Sequence, residues 1–251
     1  MPMAEVEEAK TEDQSSDRQL DLVEHLAELR SRLVRSVVYL GLAAVAGWVF
    51  YPFFFALLSK PVEPVLKNGS KFLLTGVAEG FTIKMQVSVL VGAILAMPLL
   101  TLEGWKFVSP GLTRQERKGI RLVAPLSILL FASGVAVAYW ILPVGIQWLV
   151  SQNPPGATFM PSVAQTLLFV SKMCLAFGLV FQLPVVLMFL AKVGIVDSRM
   201  LKAYWRQAVV VLAIVAAVVT PSADAFSMML MCAPLILLYG LSIVLVRMVE
   251  R

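Results

Sequence analysis

Asp21–Arg35 reads DLVEHLAELRSRLVR and stands immediately before the first long apolar run of the chain. Leu22, Leu26, Leu29 and Leu33 recur at helical spacing and form one apolar stripe. Glu24, Glu28, Arg32 and Arg35 run along a neighbouring face, with Glu28 placed to pair with Arg32 at i, i+4. Asp21 with Glu24 three residues on resembles a capping box with Asp in the cap role. The stretch therefore reads as a short amphipathic helix leading into a membrane span. On its own it is a membrane-surface anchor.

Composition sets the class around this helix. The chain is 59% hydrophobic and 15% charged, with a mean hydropathy of +0.83, whereas soluble domains carry about a quarter charged residues. The apolar runs are continuous rather than alternating, which points to helices and not to a β-barrel. The fold class expected is an all-α polytopic membrane protein with six transmembrane helices, at about 34–51, 80–102, 122–142, 166–190, 208–219 and 225–246. Residues 1–20 are acid-rich, poor in apolar groups and expected to be disordered. Residues 21–251 are expected to form a single membrane domain.

Prolines and charges mark the connections. Pro52 is expected to bend or end the first span and Pro234 to break the sixth. Residues 59–79, 103–121, 143–165 and 192–207 read as loops, and Thr220–Asp224 as a tight polar turn. The fifth span has twelve purely apolar residues, about 18 Å of helix, so the bilayer must thin there or another protein must cover the mismatch. Of 21 Lys and Arg, Lys60, Lys67 and Lys71 fall in loops on one membrane face, and Lys84 and Lys172 lie within or near spans. All the others fall on the opposite face, which puts both termini in the cytoplasm. The pI near 9.3 reflects that asymmetry and calls for no nucleic acid.

Catalytic constellations are missing. His25 is the single histidine, Cys174 and Cys232 sit inside apolar runs, and there is no phosphate-binding GxxxxGK[ST] loop or Gly-x-Ser-x-Gly elbow. No enzyme, metal or cofactor is implied. What remains is a set of carboxylates, Glu28, Glu103 and Glu116, among many positive charges on the cytoplasmic face. Such a carboxylate either forms a solvated pair with a neighbouring arginine or receives a cationic ligand, for which a guanidinium is the natural bidentate match.

His25-Leu26-Ala27-Glu28-Leu29-Arg30-Ser31-Arg32 resembles the HLxELRxR signature of the TatC family, the polytopic subunit of the twin-arginine protein translocase. Phe107-Val108-Ser109-Pro110-Gly111-Leu112 followed by Glu116-Arg117 resembles that family's first cytoplasmic loop, and Ser59-Lys60-Pro61-Val62 its first periplasmic loop. Phe177-Gly178 with Gln182-Leu183-Pro184 is similar to its fourth span, and Thr220-Pro221 with Asp224 to the turn between its last two spans.

The resemblance implies a receptor and core subunit in a prokaryotic inner membrane, oligomeric with itself and with single-span TatA/TatB-type partners. It would bind twin-arginine signal peptides of folded cargo for export driven by the proton motive force. Residue by residue, it implies that Glu28 and Glu116 bind the arginine pair. His25, Leu29, Arg30, Arg32, Phe107, Pro110, Leu112 and Arg117 would support them, and Gln182, Thr220 and Asp224 would be intramembrane or partner-contact polar residues. The sequence departs from the pattern at Gln182, where many relatives carry Glu; an amide there hydrogen-bonds but does not titrate. The alternative function is a small-solute permease, which needs polar side chains converging near mid-membrane; Gln86, Lys172 and Gln182 are the candidates.

Overall fold

The computed structural model describes residues 3–66, 72–74, 76–108, 114–154, 160–220 and 224–250, with the side chains of 26–66, 72–74, 76–107, 125–154, 160–218, 220, 224–248 and 250. It is helical throughout: α1 (Met3–Val49), α2 (Tyr51–Ser59), a 3₁₀ turn (Lys60–Val62), α3 (Glu63–Leu66), α4 (Glu79–Val108), α5 (Arg114–Ser151), α6 (Val163–Val180), α7 (Leu183–Lys192), α8 (Ser198–Ala203), α9 (Trp205–Val219) and α10 (Ala225–Val249). One β-bridge, Leu73 to Ser162, ties the segment after α3 to the start of α6.

Among the described residues, five stretches are long and apolar enough to cross a bilayer: Leu26–Val49, Glu79–Phe107, Pro125–Ser151, Val163–Lys192 and Ala225–Met248. The fifth of the six expected spans corresponds to α9, whose 15 residues reach about 22 Å, still short of a hydrocarbon core of roughly 30 Å.

Several expected boundaries move. The amphipathic stretch is not a separate short helix; α1 continues through it without a break to Val49 and also takes in the acidic segment expected to be disordered. The expected charged loop at 103–121 is mostly helix, because α4 runs to Val108 and α5 starts at Arg114. The third span does not stop at 142, since α5 passes through Pro143 to Ser151. The basic loop at 192–207 contains α8 and the first turn of α9. Pro234 does not break α10.

Two prolines stand at helix starts that follow a break in the chain. Pro52 and Pro184 sit in the first turn of α2 and α7, where the missing N–H has no intrahelical partner to lose. Pro98, Pro125, Pro143 and Pro234 lie inside helices, a placement that neighbouring helices make tolerable in a membrane.

A close seam runs between α1 and α4. A Cβ placed on Gly92 of α4 would stand 2.6 Å from the Ala44 backbone nitrogen and Cα of α1, and one on Gly47 would stand 2.7 Å from the Ser88 carbonyl oxygen. Only hydrogen atoms fit at these two positions, so the backbones touch as small-residue interfaces in membranes do. At the same end of the seam the Lys84 ammonium lies 4.3 Å from the Trp48 ring centroid, and Trp48 meets Phe81 edge to face at 5.6 Å. Lys84 is thus held against an aromatic pair rather than offered to a transport path.

The core forms where α5, α6 and α4 meet, around Leu142, Leu167, Val170, Met173, Phe177 and Val87, all buried. α10 packs on α7 and α9, and Trp148 of α5 stacks on Phe226 of α10 at 3.7 Å. Many large apolar residues stay exposed, including Leu33, Val37, Leu42 and Val45 on α1 and Val210, Val211 and Ile214 on α9. These are surfaces for acyl chains or for other helices, not for water.

The seam gives a test of sign. Gly92→Ala forces the α1 and α4 backbones apart and lowers stability by about 1–3 kcal/mol. Gly41→Ala, also in α1 but with nothing within 4 Å of its new Cβ, is neutral or stabilising by up to about 1 kcal/mol. Thermal unfolding of the two variants in detergent separates them.

Candidate functional site

The apolar stripe and the charged face of the N-terminal stretch are turned opposite to what a surface anchor on a soluble core would show. Leu26 and Leu33 are 61% and 62% exposed, while Arg32, paired with Glu28, is turned toward α4. Membrane surroundings account for this: leucines gain nothing by facing protein rather than lipid tails, whereas an ionised pair gains by facing other charges.

Arg32 is the centre of that face. Its Nε donates to Glu28 Oε1 at 3.0 Å, and its Nη2 donates to the same oxygen. Its Nη1 donates across the seam to Glu103 Oε2 of α4 at 3.0 Å. Glu103 is also approached by Lys106 Nζ at 3.7 Å and Arg35 Nη1 at 4.0 Å. The side chains of Arg32, Glu28 and Glu103 are 16%, 32% and 6% exposed. Glu103 is therefore a buried counter-ion joining α1 to α4, and Glu28 is the carboxylate of the group that faces outward.

Glu103 belonged to the sequence-level set of carboxylates but not to the expected binding residues. Nothing local marks its partner, because Arg32 is 71 positions away. Burial makes it the costlier one to break, since removing one partner of a buried pair leaves an uncompensated charge at a cost of about 3–5 kcal/mol.

The expected supporting residues divide. Leu29 and Arg30 are exposed, Arg32 is in the network, and Phe107 is half-buried near the end of α4. Glu116 and Arg117 fall in the first turn of α5. The side chains of His25, Glu116 and Arg117, and the whole of Pro110 and Leu112, lie outside the described residues. Among the described residues no group of His, Cys, Asp and Glu could hold a metal ion.

A family model described as Sec-independent protein translocase protein (TatC) matches residues 24–234. The chain belongs to the TatC family. It is 40% identical to the Sec-independent protein translocase protein TatC of Desulforapulum autotrophicum, over 88% of this chain and 82% of that relative. It is 34% identical to the chloroplastic TATC of Arabidopsis thaliana, over 92% of this chain and 67% of that one. Among solved structures it resembles the crystal structure of the twin arginine translocase receptor TatC, with a TM-score of 0.78 and 31% identity over 90% of this chain and all of that one. The chain is thus a translocase subunit of the twin-arginine, Sec-independent type, and the TatC family is not one of catalytic enzymes.

The remaining polar residues of this TatC chain serve its interior. Gln182, at the break between α6 and α7, donates from Nε2 to the Ser127 carbonyl of α5 at 2.8 Å. Trp105 of α4 donates from Nε1 to the hydroxyl of the same Ser127 at 3.0 Å and meets Phe189 of α7 edge to face at 5.4 Å. One buried serine therefore joins three parts of the fold. Sequence reading passed over Ser127 and Trp105, since a lone serine in an apolar run carries no periodic signal.

Thr220 is buried; its hydroxyl donates to the Ala216 carbonyl at 2.5 Å and lies 3.4 Å from Met231 Sδ. Asp224 caps α10 as its position suggests, accepting from the Ser227 N–H at 2.6 Å. Gln86 and Lys172 line one cavity of about 400 Å³ with Met85, Val89, Leu90 and Leu168. Gln182 is not part of it.

Gln182→Leu removes the donor to Ser127 and lowers stability by about 1 kcal/mol, within the range of interhelical hydrogen bonds in membranes. Gln182→Glu, which cannot donate when ionised, is at least as damaging near neutral pH. Equilibrium unfolding in mixed micelles measures both.

Proposed function

We propose that this chain is the receptor and core subunit of a twin-arginine translocase, and that Glu28 and Glu116 each take one guanidinium of a twin-arginine signal peptide on folded cargo. It works in the cytoplasmic membrane of a prokaryote with six spans, both termini in the cytoplasm, TatA/TatB-type single-span partners and the proton motive force. Residues 21–251 act as one membrane domain.

The observation that carries this reading is the state of Glu28. It is one third exposed, it is anchored through Oε1 by Arg32, and Oε2 has no hydrogen-bond partner among the described residues. A carboxylate fixed at one oxygen and open at the other can accept a further guanidinium, and the planar fork of arginine fits it better than a lysine ammonium. Glu116 supplies the second carboxylate by its place in the family motif. The apolar, undersized α9 suits a partner helix lying along it, since its exposed valines and isoleucine offer a packing face and its length leaves a mismatch.

The permease alternative is weaker. It requires polar groups converging inside the membrane, but Gln182 is committed to Ser127, and Gln86 and Lys172 share their cavity with four apolar residues.

Glu28→Gln and Glu116→Gln each weaken binding of a synthetic twin-arginine signal peptide by about ten- to a hundredfold, as expected for loss of a charge-assisted hydrogen bond. A peptide with both arginines changed to lysine binds the unaltered chain more weakly. Fluorescence titration of the purified complex reads both effects. Unaltered affinity in both variants would remove the two glutamates from the site.

A further inference from the structure

We infer that Arg32 is a resident stand-in for a ligand arginine at Glu28, and that Glu103 is the positioning residue that takes Arg32 over when the peptide arrives. This rests on the reading of Glu28 as a guanidinium receptor.

The geometry of the three groups carries the inference. A guanidinium binds a carboxylate best through two parallel N–H···O bonds, one to each oxygen. At Glu28 that arrangement is blocked, because Oε1 already accepts both Nε and Nη2 of Arg32. A ligand arginine can reach Oε2 singly, but paired capture requires Arg32 to withdraw. Arg32 is only 16% exposed, so a withdrawn guanidinium with no acceptor would be strongly disfavoured. Glu103 removes that obstacle. Its Oε2 already accepts from Nη1 at 3.0 Å, Lys106 Nζ lies 3.7 Å from its Oε1 and Arg35 Nη1 lies 4.0 Å from its Oε2.

Charge points the same way. Glu28, Arg32 and Glu103 together carry one net negative charge. Without Glu103 the remaining pair is neutral, and Arg35 and Lys106 would then face an incoming cation unopposed. Glu103 thus acts on the peptide through Arg32 without touching it.

The test is a double-mutant cycle on peptide affinity, using the purified full-length chain with its partners and a labelled synthetic twin-arginine signal peptide. Glu103→Gln keeps an acceptor for Arg32 and so keeps the seam, but leaves Arg32 held mainly by Glu28; binding weakens by about tenfold. Arg32→Gln frees both oxygens of Glu28 and tightens binding by at least about threefold. The double variant binds like Arg32→Gln, because Glu103 has no Arg32 left to receive. A purely structural role for Glu103 would weaken binding equally with and without Arg32, and that additive result overturns the inference, as does unchanged binding in Glu103→Gln.

Glu28→Gln separates the two levels. If it binds like the unaltered chain, the receptor reading fails and this inference with it. If it loses binding while Glu103→Gln and Arg32→Gln do not move affinity, only the stand-in role is wrong.

Discussion

A partly buried guanidinium between two carboxylates fixes how the N-terminal helix sits on the rest of the chain. Arg32 cannot leave both carboxylates without being left unpaired, and Glu103 cannot leave Arg32 without losing its one hydrogen-bonded cation among the described residues. The ion pair therefore sets the register and rotation of α1 against α4 at one end. The touching backbones at Gly47 and Gly92 set them at the other. Neither device would suffice alone. Close contact of two glycines allows sliding by a turn, and one ion pair allows the helices to splay.

The two ends also match the bilayer. Gly47 is nineteen residues beyond Glu28 on α1, and Glu103 is nineteen beyond Lys84 on α4, each about 28 Å along a helix axis. That is close to the thickness of the hydrocarbon core. The acidic and basic groups around Arg32 and the Lys84–Trp48 contact thus lie at opposite edges of the apolar layer, with mostly aliphatic surface between them. A charged cluster and a cation on an aromatic ring are both favourable at an interface and costly at the midplane. The helix pair is held in depth as well as in register.

How much of this could be read from the sequence depends on the range of the interaction. The helical class, the long apolar runs, the short α9 and the cap at Asp224 rest on local composition and spacing, and they appear in the chain directly. Helix ends were misplaced where a local rule met a tertiary one. Charge density between 103 and 121 suggests a loop, yet a membrane helix continues into the headgroup region, where charged residues are soluble. Pro234 suggests a break, yet α10 runs through it, as a proline-bearing helix can when packed among other helices in a membrane. The stripe Leu26, Leu29 and Leu33 was correct as a periodicity and silent about its facing, because the solvent for those leucines is lipid. Glu103 and Ser127 were the least legible, since their roles consist of contacts with residues distant in sequence.

Glu28 and Glu103 show how similar carboxylates come to do different work. Both bond to Arg32. Glu103 is enclosed by α1 and by its own helix, so its oxygens are taken by Arg32, Lys106 and Arg35. Glu28 stands one turn before Arg32 with its side chain one third exposed, and its Oε2 has no hydrogen-bond partner among the described residues. The difference is one of depth along the same seam. The seam buries the inner carboxylate beside Arg32, and on the proposed reading that carboxylate, by sharing Arg32, leaves the outer one its negative charge. A receptor for a cationic motif built in a strongly basic membrane face needs such an arrangement, because an exposed glutamate among many arginines would otherwise be fully paired before any ligand reached it.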